Sequence, residues 1–415
     1  MKLAKILLLV LSAWASWFGG LKPALAQVWT ETGDHNVPWA SVASSADGTK
    51  LLAICHGDGT GGLGSIYAST DSGMTWAQTS APSNQWTCVC SSADGTTIVA
   101  APRPYTIPAL IYVSKDSGIT WTSNNTTSAE WYSVASSADG TKLVAVGTAD
   151  TGDEGVVYTS TNSGITWVSN SPPINTSCWS AVSSSADGSK LVVGSAYGQI
   201  CISTNCGATW QPTYNALSNA WESVASSADG CKVVAVSELY WAAGGSIISS
   251  TDSGMTWTSN NVPSADWTSV ASSADGNKLV AVVGIIYVST DSGATWTPDA
   301  WTLGDFSNGL LTVASSADGC KLVGVDGGGI YSSAVLGPIF TSYTTPSPQL
   351  NLVSLSTNLL LSWIIPSTTF LLQQSSDLTN WSIVTNQSTL NFTNLQNQVT
   401  LPLPSGNSLY RLKSL

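Results

Sequence analysis

The side chains best suited to binding or catalysis lie in stretches of variable length between repeated segments of this 415-residue chain. Aromatic residues stand beside charged ones there. Aromatic rings stack on sugar rings, and carboxylates accept hydrogen bonds from hydroxyl groups. The residues that combine these properties are Arg103, Tyr105, Asp153, Glu154, Tyr240, Trp241 and Trp301. We expect them to form a binding surface for a polysaccharide or a cell-surface protein.

Two carboxylates could instead make the chain a carbohydrate-active enzyme. Glycoside hydrolases typically pair a general acid with a second carboxylate that acts as nucleophile or base. The acidic residues available in variable stretches are Glu130, Glu154, Glu222, Glu238, Asp266 and Asp326. No spacing singles out two of them, so no catalytic residue is assigned, and a glycoside hydrolase is the alternative to a binding protein.

The sequence gives little support for a metal site. The chain has two histidines and no paired Cys-x-x-Cys spacing. The acidic run from Asp150 to Glu154 lacks the alternating ligands of an EF-hand loop. We therefore expect neither a metal nor another cofactor. Among the eight cysteines, Cys201 and Cys206 flank a predicted hairpin turn and are the best candidates for a local disulfide.

The first 26 residues have the features of a signal peptide. Lys2 and Lys5 are followed by an apolar run from Ile6 to Phe18 and by the small residues around Ala26. We expect cleavage before residue 27 and export to the periplasm or the extracellular space. No second long apolar run occurs, so no membrane insertion is expected.

The charge of the chain excludes two classes of partner. Thirteen lysines and arginines stand against 25 acidic residues, for a net charge of −12. Without the three lysines of the leader, ten basic residues remain and the net charge becomes −15. Nucleic acids and anionic membranes both require clustered positive charge. We expect neither as a partner, and we expect a monomer.

A repeated phrase sets the architecture. Ser-Ser-Ala-Asp-Gly occurs seven times at intervals of 42 to 48 residues. Its aspartates are Asp47, Asp94, Asp139, Asp187, Asp229, Asp275 and Asp318. An aromatic-led segment precedes each phrase and an apolar run follows it. A period near 45 residues with strand-like content is typical of a propeller blade made of four antiparallel strands.

A second motif, Ser-x-Asp/Asn-x-Gly-x-Thr-Trp, occurs in six of the repeats. Its third position is Asp71, Asp116, Asn162, Asn205, Asp252 and Asp291. An Asp or Asn side chain accepts N–H bonds within its own turn, and the glycine permits a positive φ. The motif therefore predicts a tight turn, followed by a strand that begins with a tryptophan.

This second motif resembles the Asp-box, or BNR, repeat of sialidases, sortilin-type receptors, some glycoside hydrolases and photosystem II assembly factors. The resemblance covers about residues 28–335 and implies an all-β propeller in which the Asp and Asn residues have a structural role. A sialidase is excluded, because those enzymes use an arginine triad and this chain has only Arg103 and Arg411. The same shortage weakens a role in photosystem assembly.

We predict a seven-bladed propeller over residues 27–336, closed by its N-terminal strand. The last repeat stops at 330–333 without an Asp-box, and Val28–Glu31 aligns with a fourth strand, so Trp29 should lie near Tyr331. The Asp-Gly turns and Asp-boxes should share one face, together with a ring of solvated lysines. Those lysines are Lys50, Lys142, Lys190, Lys232, Lys278 and Lys321. The variable loops should form the opposite, binding face.

The composition changes near the C-terminus. Residues 337–349 are rich in Pro, Thr and Ser and are predicted to be a linker. Residues 350–415 contain alternating apolar runs and resemble a small fibronectin type III β-sandwich with Trp363 and Tyr410 in its core. We expect this module to act as a spacer or an attachment unit.

Overall fold

The computed structural model describes residues 7–8, 28–31, 37–57, 62–103, 109–124, 129–150, 154–174, 176, 178–213, 219–238, 245–298, 311–325, 339–343, 350–355, 358–364, 370–376, 380–385, 389–391, 396–403 and 408–414. In these residues every regular element is a β-strand, which confirms the all-β class. The chain divides into two compact units. One comprises 26–344 with 392–394, and the other comprises 1–25, 345–391 and 395–415.

The chain begins with two short strands, β1 (Leu7–Leu8) in the smaller unit and β2 (Val28–Glu31) in the larger one. Four-stranded antiparallel sheets then follow one another along the larger unit. The first sheet contains β3 (Trp39–Ser44), β4 (Leu51–Cys55), β5 (Ile66–Ser69) and β6 (Ala77–Gln78). The second contains β7 (Trp86–Ser91), β8 (Ile98–Pro102), β9 (Tyr112–Ser114) and β10 (Thr122–Ser123). The third contains β11 (Ala129–Ser136), β12 (Leu143–Ala149), β13 (Gly155–Ser160) and β14 (Val168–Ser169).

The next three sheets repeat this order. The fourth contains β15 (Trp179–Ser184), β16 (Leu191–Ser195), β17 (Ile200–Ser203) and β18 (Gln211–Pro212). The fifth contains β19 (Trp221–Ser226), β20 (Val233–Ser237), β21 (Ile247–Ser250) and β22 (Thr258–Ser259). The sixth contains β23 (Ser269–Ser272), β24 (Leu279–Val283), β25 (Ile285–Ser289) and β26 (Thr297–Pro298).

The last sheet of this unit is assembled from both ends of it. Its strands are β27 (Thr312–Ser315), β28 (Lys321–Val325), β29 (Ile339–Tyr343) and the N-terminal β2. Trp29 of β2 is opposite Ser342 of β29 in an antiparallel pair. The N-terminal strand therefore closes this sheet at its outer edge.

The third strand of the last sheet lies later in the chain than predicted. We expected it at 330–333, which falls outside the described residues, as does Tyr331. The observed strand, Ile339–Tyr343, lies within the segment predicted to be a linker. β-Branched and aromatic residues dominate this strand, and its pairing with both β28 and β2 outweighs the neighbouring prolines that suggested a linker.

A ring of backbone hydrogen bonds joins the sheets. The alanine N–H of each Ser-Ala-Asp-Gly turn donates to the equivalent alanine carbonyl of the next sheet, at N···O distances of 2.6 to 2.8 Å. The ring runs through Ala46, Ala93, Ala138, Ala186, Ala228, Ala274 and Ala317, whose N–H returns to the carbonyl of Ala46. This closed array of sheets around one axis is the β-propeller arrangement that the repeats predict.

The core lies between neighbouring sheets. The second strand of each sheet is apolar because both of its faces are covered. The tryptophan near the start of the first strand fills the space between sheets, and five of these rings are fully buried: Trp86, Trp131, Trp179, Trp221 and Trp267. Trp131 also makes an edge-to-face contact with Tyr158 of the third strand, at 5.7 Å between ring centroids.

The described strands of the C-terminal unit form two sheets. One contains β30 (Asn351–Ser354), β31 (Asn358–Ile364), β35 (Gln396–Pro402) and β34 (Thr389–Asn391). The other contains β36 (Leu409–Ser414), β32 (Phe370–Ser375), β33 (Ser382–Ile383) and, in parallel with β36, β1. Trp363 and Tyr410 are both buried in the shared core, as expected from the sequence. Strand β1 belongs to the segment predicted to be a leader.

The predicted disulfide is wrong. None of the eight cysteines, all of which lie in the described residues, forms a disulfide. Cys201 is fully buried in the core between the third and fourth sheets, whereas Cys206 occupies a left-handed position of the Asp-box turn with φ 60°. The two side chains therefore lie in different surroundings, one in the core and one in the turn. Burial raises the pKa of Cys201 to about 12.

Candidate functional site

The Asp-boxes are structural turns. In the first, Ser69 Oγ donates to Asp71 Oδ1 at 2.8 Å and accepts from Gly73 N–H at 2.8 Å. The Asp71 carboxylate also accepts the Thr75 N–H at 2.9 Å and the Thr75 hydroxyl at 2.6 Å. These bonds from Thr75 hold the pKa of Asp71 below its usual value. Ser72, between them, has φ 61°, so the turn contains a left-handed residue that is not glycine.

Asparagine supports the same turn. Asn162 Oδ1 accepts the Thr166 N–H at 2.9 Å, and its Nδ2 donates to the Thr166 hydroxyl at 2.9 Å. The hydroxyl acts as acceptor here, so no carboxylate is required. Each of the six boxes also bonds to the Asp-Gly turn of its own sheet, as Ser72 N–H does to the Thr49 carbonyl at 2.8 Å. The two turn types therefore share one surface, which we name the turn face.

The lysines of the turn face were expected to form a solvated ring; they are partly exposed, and they also bond to the next sheet. Lys142 Nζ donates to the Asp187 carbonyl of the next sheet at 2.6 Å. Lys232 Nζ likewise reaches the Asp275 carbonyl at 3.0 Å and Ser292 Oγ at 3.1 Å. The side chains lie over the glycines of the neighbouring turns and leave no space for a Cβ atom there. The lysines therefore connect adjacent sheets.

The opposite ends of the first and second strands carry different residues in each sheet. We name this surface the loop face. In five sheets the first strand contains a β-bulge directly after its leading tryptophan. The bulge residues are Ala40, Thr87, Tyr132, Ser180 and Glu222. Bulges redirect side chains and are common beside active sites.

The side chains at the bulge positions make different contacts. Thr87 Oγ1 donates to the Trp131 carbonyl of the next sheet at 2.9 Å, and Ser180 Oγ contacts the Trp221 carbonyl in the same way. These two hydroxyls connect sheets. Tyr132 and Glu222 instead carry ionisable groups at the same structural position, which makes them candidates for function.

Tyr132 belongs to a compact polar cluster. Arg103 follows the end of β8 and its Nε lies 3.0 Å from Glu130 Oε2, with the two side chains 28% and 35% exposed. Tyr132 Oη donates to the same oxygen at 3.2 Å. The Arg103 guanidinium lies over the Tyr132 ring, 4.4 Å from its centroid. One carboxylate oxygen thus joins a cation and a phenol at the edge of the loop face.

Further ionisable groups continue from this cluster around the loop face. Cys178 precedes Trp179, and its thiol interacts with the side chains of Thr148 and Tyr132. Burial raises the pKa of Cys178 and also that of Tyr132. We name the set of Arg103, Glu130, Tyr132, Cys178 and Glu222 the loop-face cluster.

Glu222 is a carboxyl whose pKa departs from its ordinary value. Burial raises the pKa of Glu222 to about 7, and the charge of Glu238 acts in the same direction. Burial and the charge of Asp266 raise the pKa of Glu238. On the other side of Arg103, burial lowers the pKa of His56, and the guanidinium lowers it further. The loop face can therefore hold a protonated carboxyl and a neutral imidazole near neutral pH.

The structure brings together only part of the predicted binding surface. Arg103 lies beside Glu130, one of the spare carboxylates. Glu154 is exposed, and its carbonyl accepts the Ala149 N–H at 2.8 Å. The other predicted binding residues lie outside the described residues: Tyr105, Asp153, Tyr240, Trp241 and Trp301. The spare carboxylate Asp326 lies outside them as well.

Two members of the cluster were missed by the sequence reasoning. Tyr132 and Cys178 each stand next to the tryptophan that leads a first strand, a position that could have been compared across the repeats. Within the described parts of the chain, no group of three or more His, Cys, Asp or Glu side chains could hold a metal ion. Nor does the described structure contain a helix that could span a membrane.

Comparisons with solved structures confirm the β-propeller fold. The structure titled YCF48 bound to D1 peptide matches 78% of this chain and 97% of its own, with a TM-score of 0.55 and 13% identity. YCF48 from Cyanidioschyzon merolae matches 76% and 98%, with a TM-score of 0.54 and 13% identity. The GH74 xyloglucanase from Xanthomonas campestris matches 81% and 59%, with a TM-score of 0.53 and 14% identity.

The sequence matches no protein-family model and no curated protein. At these low identities the solved structures are informative about the fold alone, and function has to be argued from the loop-face cluster.

Proposed function

We propose that this chain is an exported β-propeller scaffold that binds a partner protein through its loop face. The observation that carries the proposal is the separation of chemistry between the two faces. Polar side chains of the turn face bond to one another and to neighbouring sheets. The loop-face cluster instead combines a half-exposed cation, a carboxylate and a phenol within one group of contacts.

A polypeptide suits this cluster better than a neutral sugar does. Arg103 and Glu130 offer a charged donor and a charged acceptor to groups of either sign, and the tyrosine ring adds apolar area. Tyrosine and arginine are the side chains most often found at the energetic centre of protein interfaces. One solved structure with this fold is that of YCF48 bound to a peptide, so the fold is able to bind such a ligand. A polysaccharide is the alternative ligand.

The test uses the exported chain, residues 27–415, and an array of synthetic peptides graded in net charge. We expect wild type to select a subset of peptides, and Arg103→Ala with Glu130→Ala to weaken their binding by about tenfold or more. Asp116→Asn is the matched control on the turn face, because asparagine already serves the equivalent turns at Asn162 and Asn205. The control should bind like wild type.

Two results would contradict a protein-binding role at this site. One is an array on which wild type selects no peptide. The other is a selected set that the double variant and the control bind equally well. Co-sedimentation with a panel of insoluble polysaccharides, without peptide binding, would assign the loop face to a glycan instead.

One observation favours a second candidate, a glycoside hydrolase. A carboxyl that stays protonated near neutral pH is the form required of a general acid, and the pKa of Glu222 is raised to about 7 beside Glu238. Wild type would then release new reducing ends from one member of a soluble polysaccharide panel, and Glu222→Gln would abolish that release. If wild type releases none from any member, the candidate is wrong.

A further inference from the structure

Six of the seven Asp-Gly turns lie against a lysine of the preceding sheet, and the third lies against Thr97 instead. The residue that follows the turn glycine differs between the turns: it is Thr49, Thr96, Thr141, Ser189, Cys231, Asn277 and Cys320. The threonine and serine hydroxyls donate to the turn aspartate, as Thr141 Oγ1 does to Asp139 at 2.8 Å. A thiol is a weaker donor. Cysteine at two of these positions is therefore not explained by the needs of the turn.

Both cysteines lie in close contact with a lysine amine. Lys278 Nζ is 2.8 Å from Cys320 Sγ, and Lys190 Nζ is 3.2 Å from Cys231 Sγ. Backbone carbonyls fix the amines in place: Lys278 Nζ donates to Asp318 O at 2.8 Å, and Lys190 Nζ donates to Asp229 O at 2.9 Å. Cys320 is 1% exposed, so its thiol is held in a closed environment.

The contact joins different sheets. Lys278 lies in the Asp-Gly turn of the sixth sheet, and Cys320 lies in that of the last. Lys190 and Cys231 connect the fourth sheet to the fifth in the same register. Lys232 and Asn277 occupy the equivalent places between the fifth and sixth sheets, with Nζ 2.5 Å from Oδ1. The chain thus contains two amine–thiol pairs and one amine–amide pair in the same setting.

We propose that the two amine–thiol pairs are sites of oxidative crosslinking, in which one oxygen atom joins lysine Nζ to cysteine Sγ. Dioxygen is the oxidant. The neutral amine and the thiol react with one O₂ to give an Nζ–O–Sγ bridge and one water. The amine loses one hydrogen and the thiol loses one, and both leave in the water together with the second oxygen atom. The bridge is cleaved again by a thiol reductant.

The geometry suits this bridge better than any disulfide. None of the eight cysteines, all of which lie in the described residues, forms a disulfide, and each of these two thiols has an amine close enough for a single oxygen atom to connect them. Since the amine and thiol come from different sheets, each bridge would fasten two neighbouring sheets covalently. The crosslinks would stabilise the contact between neighbouring sheets covalently, as disulfides do in exported proteins.

Mass spectrometry of the purified full-length protein tests the proposal. After exposure to air, peptide mapping under denaturing conditions should find Lys278 linked to Cys320 and Lys190 linked to Cys231. Each linked pair should carry one additional oxygen and lack two hydrogens, and dithiothreitol should restore the separate peptides. Cys320→Ser should lose the first link and keep the second. Cys206→Ser, at a turn-face thiol outside the two pairs, should keep both.

The results that would overturn the proposal are equally specific. If all eight thiols of the air-exposed, denatured protein react with iodoacetamide and the mass is that of the unmodified chain, no bridge forms. A link that lacks two hydrogens and gains no oxygen would be a direct S–N bond, which contradicts the oxygen bridge. Should Cys320→Ser fail to fold, the link between Lys190 and Cys231 in wild type still decides the question.

Discussion

On the turn face of the propeller, most equivalent positions of successive sheets carry the same residues, whereas on the loop face they carry different ones. The turn aspartates, the following lysines and the Asp-box residues all bond within their turns or to the next sheet. At the bulge position of the loop face, the same backbone geometry carries alanine, threonine, tyrosine, serine and glutamate. Repetition thus marks the residues that hold the ring together.

The departures from repetition are equally informative. Tyr132 and Glu222 occupy a position at which Thr87 and Ser180 connect sheets, so these two sheets lack that hydroxyl contact. Glu222 in addition places a half-buried carboxyl there, and partial burial raises its pKa. At this position, the hydroxyl residues of other repeats stabilise the contact between sheets. A residue that lowers stability there is a candidate for function. The comparison predicts opposite outcomes for substitutions on the two faces.

The largest effect is expected for Glu222→Gln. Because the pKa of Glu222 is raised from 4.5 to about 7, the folded chain holds a proton that the unfolded chain releases. Wild-type stability should therefore fall as the pH rises from about 4.5 to about 7, and stay low above that. Glutamine removes this cost, so the variant should be more stable by up to roughly 3 kcal/mol at about pH 8 and unchanged at about pH 4.

Urea unfolding at these two pH values measures the difference. Glu154→Gln is the matched control, since Glu154 is an exposed glutamate of the same face. It should change stability at neither pH. A Glu222→Gln variant that is destabilised at alkaline pH would show that the carboxylate is satisfied in the fold, and the contrast between the faces would then fail.

A smaller effect of opposite sign is expected on the turn face. Asp139 accepts hydrogen bonds from Ser137 Oγ at 2.6 Å and from Thr141 N–H at 3.0 Å. Asp139→Ala removes both, and we expect a loss of about 1–2 kcal/mol. Asp139→Asn should lose less than half of that, because asparagine makes the equivalent bonds in the Asp-box at Asn162.

Tryptophan fluorescence during urea unfolding gives these free energies, with the C-terminal unit treated as a separate transition if two are seen. Peptide binding by both variants should equal that of wild type. Equal stability of the alanine and asparagine variants would mean that the side-chain bonds of the turn contribute nothing, and that the backbone alone maintains the ring.

Much of the fold could be predicted because its determinants are local. The period of the Ser-Ala-Asp-Gly phrase and the turn chemistry of the Asp-box lie within a few residues and predict both the strands and the shared face. The third strand of the last sheet was misplaced because no Asp-box follows it, and only its partners β28 and β2 define it. The lysine contacts were missed for a similar reason, since Lys142 and Asp187 are 45 residues apart.

The candidate site was harder to predict than the fold. The pair of Arg103 and Glu130 joins two sheets across 27 residues, and nothing in the local sequence relates them. Arg103 itself could be selected because arginine is rare in this chain. Tyr132 looked like part of an aromatic strand segment. Only the bulge after Trp131 distinguishes it from a core residue, and a bulge is a property of strand pairing.

The smallest expected effect concerns Arg103 and tests whether the loop-face cluster extends to His56. Burial is the main cause that lowers the pKa of His56, and the Arg103 guanidinium adds to it. In Arg103→Met the pKa of His56 should therefore rise and still stay below its ordinary value of 6.5, because burial is unchanged. NMR titration of the imidazole signals reports this directly, since the chain has only two histidines and His35→Asn assigns them.

Lys142→Met, on the turn face, is the control: it also removes one positive charge and should leave the pKa of His56 unchanged. A His56 titration that is identical in wild type and Arg103→Met would separate this histidine from the cluster and confine the site to the sheets that follow the first.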